Sequence, residues 1–230
     1  MTPKATPPHT TNASATRRIA EARQDLARMP DAPEPLFRLC ALLLGEGDPS
    51  ANALLARLEV FRGYAPGWRY LGEALLVSHQ AEAALVGFAR ALAADPDFAA
   101  AQFGLGRALR LTGRLPAAGE ALQRAVTLDP ALAQAWFTLG LVRQDLHDPA
   151  GAVTAYRSAL EAEPSLHEAA FNLGVACQEV GDLDAALAAY AMALRLRPEA
   201  LGRIAHALTS SPTGCLFLSL DALRKTLGGF

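Results

Sequence analysis

Five histidines and three cysteines are the side chains of this sequence best suited to ligating a metal or acting as nucleophiles. Neither HExxH nor CxxC occurs among them, so the spacing typical of zinc and redox sites is missing. The GxxxxGK[ST] and GxSxG motifs of phosphate-binding loops and serine hydrolases are also absent. We therefore predict a non-catalytic protein with no cofactor and no metal. The residues considered are His9, His79, His147, His167, His206, Cys40, Cys177 and Cys215.

Several residue types recur every 34 residues between positions 65 and 200. Prolines, Leu-Gly pairs and two columns of alanine keep this interval, and a bulky residue stands between the alanines. Such a period is typical of stacked-repeat architectures, in which each unit contacts mainly its neighbours. The columns are Pro96, Pro130, Pro164 and Pro198; Gly72, Gly106, Gly140 and Gly174; Ala84, Ala118, Ala152 and Ala186; Ala91, Ala125, Ala159 and Ala193; and Phe88, Leu122, Tyr156 and Tyr190.

Each repeat is predicted to contain two amphipathic helices, about 66–78 and 82–94 in the first repeat. The turn between them carries His79, Gly113, His147 or Gly181, and glycine suits the left-handed conformation that closes a helix. A glycine inside a helix costs about 1 kcal/mol relative to alanine. Four glycines in the Leu-Gly column therefore predict a close approach by a neighbouring helix.

The sequence outside the repeats predicts a tail and two capping regions. Residues 1–15 are rich in Pro, Thr, Ala and Asn, which predicts a flexible tail. The caps shield the open ends of the stack. The predicted parts are 16–64, a capping helix and a degenerate helix pair (34–45 and 50–62); the four repeats 65–98, 99–132, 133–166 and 167–200; and 201–230, capping helices that include a short extended segment, CLFLS.

The repeated columns resemble the signature of the tetratricopeptide repeat (TPR) family. The first repeat reads Trp68-x-x-Leu71-Gly72, followed by the alanine, bulky and proline columns, and the third repeat begins in the same way at Trp136. The resemblance implies an all-α fold, a right-handed α-solenoid of stacked helix-turn-helix repeats whose first helices line a concave groove. It also implies protein–protein interaction. The departures are Gln102 and Ala170 in the Trp column, and Leu75, Leu109, Arg143 and Cys177 in the family's tyrosine column.

The family's geometry implies which side chains would line the groove. Three phenylalanines in one row would offer an apolar ladder to a partner helix or extended segment, and aromatic residues and Arg are enriched at interface hot spots. Alternatively, these rings pack between adjacent first helices and are only partly exposed. The implied groove residues are Arg69, Tyr70, Phe103, Arg107, Arg110, Phe137, Thr138, Leu141, Phe171 and Asn172.

This sequence does not fit one subclass of the family. Members that grip the C-terminal carboxylate of chaperones use Lys, Arg and Asn in the groove, and of the matching positions here only Arg69 agrees. Arg107, Arg110 and Arg114 either attract an acidic partner or a phosphate or form a solvated face. The non-matching positions are Glu73, Gly104, Gln134 and Thr138.

Composition limits the classes of partner. The formal net charge is −2, so no overall field favours nucleic acid or acidic lipid. No apolar run is long enough to span a bilayer, and the N-terminal residues lack the apolar core of a secretory signal. Three scattered cysteines fit reduced thiols. The sequence thus predicts a cytoplasmic protein with a protein partner, no membrane association and no nucleic acid.

The sequence predicts a scaffold or adaptor that binds a peptide segment or a helix of a partner protein in its groove. Two alternatives stay open. One is a regulatory or assembly subunit of a modifying enzyme such as a glycosyltransferase. The other is an enzyme that uses the C-terminal segment, with His206, Cys215 and Asp221 as its reactive candidates.

Overall fold

The computed structural model describes residues 10–210 and 220–229, and every regular element within these ranges is a helix. The chain divides into two compact units, residues 1–112 and 113–230. In both units the helices form consecutive packed pairs, which confirms the predicted all-α fold of stacked helix-turn-helix repeats. No helix in the described ranges is both long and apolar enough to cross a membrane.

The described part of the first unit, residues 10–112, contains six α-helices. The bounds are α1, Thr10–Arg28; α2, Pro33–Gly45; α3, Ala51–Leu58, which continues as a 3-10 turn, Glu59–Phe61; α4, Ala65–Val77; α5, Ala81–Ala94; and α6, Ala99–Leu111. Helix α4 packs on its own second helix, α5, on α2 of the preceding pair and on α6.

The second unit contains seven α-helices in its described residues. The bounds are α7, Leu115–Leu128; α8, Ala133–Asp145; α9, Pro149–Ala162; α10, His167–Glu179; α11, Leu183–Leu196, followed by a 3-10 turn, Pro198–Ala200; α12, Leu201–Ser210; and α13, Leu220–Leu227. Helices α7 to α11 pack in chain order, each on the next, and α13 contacts both α11 and α12.

The flanking regions differ from the sequence prediction in two ways. Helix α1 begins at Thr10, so residues 10–15 are helical where a flexible tail was predicted. Helix α12 begins 34 residues after α10, and its Ile204 is buried at the position of Trp68 and Trp136. It therefore continues the row of first helices by one. Cys215 and the CLFLS segment lie outside the described residues.

The interhelix turns confirm the predicted left-handed residues. The backbone φ angle is positive at the same turn position of each repeat, and also at Gly47 between α2 and α3. Glycine adopts this region freely, whereas histidine does so only with strain. The angles are 69° at Gly47, 58° at His79, 76° at Gly113, 59° at His147 and 84° at Gly181.

Three glycines of the Leu-Gly column, Gly72, Gly140 and Gly174, make room for an aromatic ring. A Cβ atom built on Gly174 would lie 2.5 Å from Cε1 of Tyr190, and one on Gly72 would lie 2.9 Å from Cε1 of Phe88. The close approach predicted from the sequence is thus confirmed, but the approaching group is the bulky side chain of the second helix in the same repeat.

Arg143 occupies the family's tyrosine column without disturbing the repeat. It is half-buried, and its Nη1 lies 3.1 Å from Oδ2 of Asp148. Asp148 also accepts a hydrogen bond from the backbone N–H of Gly151 and so caps the start of α9. Arg143 therefore stands in the tyrosine position and forms an ion pair with Asp148, the residue that caps the next helix, α9.

Candidate functional site

Two of the implied groove residues of the first unit line one pocket. Arg69 and Tyr70, at the start of α4, border a cavity of about 470 Å³ together with Tyr64. The Tyr70 side chain is 40% exposed. The Tyr64 hydroxyl donates to the Glu34 carboxylate over 2.7 Å, which lowers the pKa of Glu34 and raises that of Tyr64. The pocket therefore has an aromatic wall with a fixed polar rim.

Phe103 and Arg107 contact each other on α6. The Arg107 guanidinium lies 5.4 Å from the centre of the Phe103 ring, and its Nη1 pairs with Glu73 Oε2 on α4 over 2.9 Å. Arg110 is half-buried on the same helix. Because Glu73 pairs with Arg107, this guanidinium is not an unopposed cation for an acidic partner or a phosphate.

Phe137 and Phe171 hold the same repeat position on α8 and α10 of the second unit. Both are half-buried and pack against one hydrophobic core. The Phe137 ring lies 5.9 Å from that of Tyr156, and Phe171 lies 5.7 Å from Tyr190. The rings are partly exposed, and each rests on the second helix of its own repeat.

The supporting tyrosines are themselves fixed by hydrogen bonds. The Tyr156 hydroxyl donates to Gln144 Oε1 over 2.5 Å, and the Tyr190 hydroxyl makes the same bond to Gln178. Both tyrosines are completely buried. Because neither ring can move without losing this bond, the exposed edges of Phe137 and Phe171 stand on a rigid base.

Three further implied groove residues lie on the same helices with different exposure. Leu141 and Asn172 are half-buried. Thr138 is only 9% exposed, and its hydroxyl donates to the Gln134 carbonyl one turn earlier in α8. A hydroxyl that is satisfied inside its own helix offers little to a partner, so Thr138 is the least available of these three side chains.

The sequence interpretation missed a polar pocket at the end of the second unit. A cavity of about 320 Å³ opens between α10, the 3-10 turn and α12, and its polar lining includes His167, Arg197 and Arg203. The Arg203 guanidinium stacks 4.3 Å from the centre of the Phe171 ring. The signal was present in the sequence, because α12 continues the 34-residue register and so extends the row of first helices by one.

The cysteines and histidines do not form a reactive centre in the described residues. Burial raises the pKa of the Cys40 thiol to about 12 and also raises that of Cys177, which disfavours the nucleophilic thiolate. His206 is exposed on α12. No group of His, Cys, Asp and Glu in the described ranges is arranged to hold a metal ion. His9 and Cys215 lie outside these ranges.

Solved structures with the same fold support the assignment of the helix pairs. The crystal structure of MamA is 24% identical, with a TM-score of 0.61, and the match covers 68% of this chain and 93% of that one. MamA from Desulfovibrio magneticus RS-1 gives 20% identity, a TM-score of 0.60 and coverages of 73% and 96%.

A third structure, YrrB, is described as a TPR protein with an unusual peptide-binding site. It is 21% identical to this chain, with a TM-score of 0.61 and coverages of 75% and 91%. At these identities the likeness shows the fold alone. No curated protein sequence gives a significant match.

The family itself is shown by the sequence profile. The profile described as tetratricopeptide repeat matches residues 71–133 and 137–200, together more than half of the chain. These ranges cover the repeats whose helix pairs, left-handed turns and glycine–aromatic contacts the structure displays. The chain belongs to the tetratricopeptide repeat family.

Proposed function

We propose that this protein is a non-catalytic scaffold that binds a peptide segment or a helix of another protein on the exposed side of its first helices. The observation that carries the proposal is the pair Phe137 and Phe171, two half-exposed rings one repeat apart on a rigid tyrosine base. Rigid aromatic side chains lose little entropy on binding and are frequent interface anchors.

The first unit supports the same kind of contact. Tyr70 is exposed beside a 470 Å³ pocket, and Phe103 presents part of its ring next to Arg107. The likeness of the fold to YrrB, described as having a peptide-binding site, agrees with this proposal. The cytoplasmic location stays a prediction from the sequence.

A random peptide library displayed on phage provides the test, because it samples a very large number of peptide sequences at once. Selection on the purified full-length protein is expected to enrich a peptide family. Phe171→Ala and Phe137→Ala should each weaken the binding of the enriched peptides by about tenfold or more, since loss of a buried aromatic anchor commonly lowers affinity this much. Binding is measured by fluorescence anisotropy of the labelled peptides.

The matched control is Leu196→Ala. Leu196 is a 41% exposed apolar residue near the end of the second helix α11 in the same unit, and its removal should leave binding unchanged. Circular dichroism must show equal helicity for all variants. Failure to enrich any peptide, or equal affinity of the phenylalanine variants and wild type, would refute the proposal. Tyr70→Ala and Phe103→Ala test the first unit in the same way.

A further inference from the structure

The pocket at the end of the second unit contains two arginines at positions where the preceding repeats have other residue types. Arg197 stands in a column that is otherwise acidic, and Arg203 in a column that is otherwise glycine or alanine. In the earlier repeats these small residues are buried, whereas Arg203 is exposed. The preceding members are Asp95, Asp129 and Glu163 in the first column, and Gly67, Ala101, Ala135 and Ala169 in the second.

Arg197 is held in place by its neighbours. Pro198 confines the residue before it to an extended backbone, and the φ and ψ angles of Arg197 are −145° and 93°. Its Nη1 lies 2.6 Å from Nε2 of His167. Because a guanidinium only donates, Nε2 accepts, and the ring proton sits on Nδ1, 3.0 Å from the Glu168 carboxylate. Glu168 is thereby engaged, and Arg197 keeps further donors for a ligand.

Arg203 is ordered by a different contact. Its guanidinium stacks 4.3 Å from the centre of the Phe171 ring, an arrangement that fixes the plane of the group and leaves its edge free to donate. The cavity lining also includes Ala193 and Ala200, both buried. The cavity thus combines two ordered guanidinium groups with an apolar floor.

We infer that this pocket binds the carboxylate of a peptide next to an aliphatic side chain, with Arg197 and Arg203 holding the carboxylate and Phe171, Ala193 and Ala200 contacting the aliphatic group. The inference rests on the proposed function, because Phe171 belongs to the proposed peptide-binding surface. A monoanion fits better than a phosphate, since Glu168 and Glu199 also line the cavity and would repel a dianion more strongly.

The carboxylate has two sources, the C-terminus of a chain and an Asp or Glu side chain, and a small probe tests their shared chemistry. N-acetyl-leucine carries a carboxylate beside an aliphatic group, and N-acetyl-leucinamide is its neutral match. Titrated into the full chain, the acid should shift the Nε–Hε NMR signals of Arg197 and Arg203, whereas the amide should not. Equal shifts with acid and amide, or tighter binding of inorganic phosphate, would overturn the inference.

Substitutions at this pocket are expected to change the affinity for N-acetyl-leucine in opposite directions. Arg203→Gln and Arg197→Gln should each weaken the binding of N-acetyl-leucine about fivefold or more, because a charge-assisted hydrogen bond is lost. Glu199→Gln should strengthen it by removing a like charge. Arg224→Gln is the matched control, since Arg224 is exposed on α13 of the same unit. Unchanged affinity of Arg203→Gln would also overturn the inference.

Peptides from the displayed library distinguish the two sources and separate the inference from the proposed function. Amidation of the C-terminus should weaken binding about tenfold if the terminus is the ligand, whereas Glu→Gln or Asp→Asn in the peptide should do so if a side chain is. Peptides that depend on Phe137 but on neither arginine would refute the carboxylate site and leave the proposed function standing. Binding of N-acetyl-leucine without any enriched peptide would support the site and refute that function.

Discussion

The Tyr190 hydroxyl donates to Gln178 Oε1, twelve residues earlier in the same repeat, over 2.5 Å. Both side chains are buried, with exposures of 0% and 2%, and burial raises the pKa of Tyr190. Tyr156 and Gln144 form the same pair one repeat earlier. The first repeat has Phe88 and Leu76 at these two positions. A tyrosine in the bulky column thus occurs with a glutamine, and a phenylalanine with a leucine.

This pairing predicts that Tyr190→Phe destabilises the protein by about 1–2 kcal/mol, because the buried Gln178 loses a hydrogen bond. The double variant Tyr190→Phe with Gln178→Leu, which copies the first repeat, should return to within about 0.5 kcal/mol of wild type, since both polar groups are then gone. Urea unfolding followed by circular dichroism measures both. Additive losses in the double variant would contradict the pairing.

Phe171 shows how far the sequence could predict the surface. The 34-residue register assigned the ring to a first helix, and in the structure its side chain is half-exposed. The same register could not predict that Arg203 stacks on the ring, because this contact joins α10 to a helix outside the four recognised repeats. Side-chain hydrogen bonds also escaped prediction: Thr138 is satisfied by its own helix, which column position alone does not reveal.

Substitution by alanine is expected to change stability in opposite directions at Gly140 and at Gly202. A Cβ atom on Gly140 would clash with the Tyr156 ring, which is fixed by Gln144. Gly140→Ala is therefore expected to destabilise by about 1–3 kcal/mol through overpacking. Gly202 is exposed on α12, and beyond the backbone of its own helix no atom of the described residues lies within 4 Å of the added Cβ. Gly202→Ala should therefore stabilise by up to about 1 kcal/mol through helix propensity. Thermal melts of both variants check the signs, and a neutral Gly140→Ala would refute the packing argument.

His147 predicts a stabilising substitution. Its φ angle of 59° lies in the left-handed region, where a residue with a Cβ is strained by about 1–2 kcal/mol. His147→Gly should gain roughly 0.5–1 kcal/mol, because the strain released exceeds the extra entropy of the unfolded chain. Gly181 holds the equivalent turn at 84°, so Gly181→Ala is the reverse control and should lose about 1 kcal/mol. Urea midpoints that move in the same direction for both variants would contradict this reasoning.

Cys40 and Cys177 are expected to resist thiol reagents until the chain unfolds. Both side chains are buried, with exposures of 0% and 1%, and the pKa of Cys40 is about 12. At pH 8 the thiolate fraction of Cys40 is then on the order of 1 in 10,000.

The Cys215→Ser variant leaves Cys40 and Cys177 as the two thiols that can react with a reagent. Native Cys215→Ser protein should react with Ellman's reagent only at the rate of local or global opening, whereas both thiols should react rapidly in guanidinium chloride. Fast reaction of either thiol without denaturant would show that its repeat opens readily, contrary to the packed core around Cys40 and Cys177.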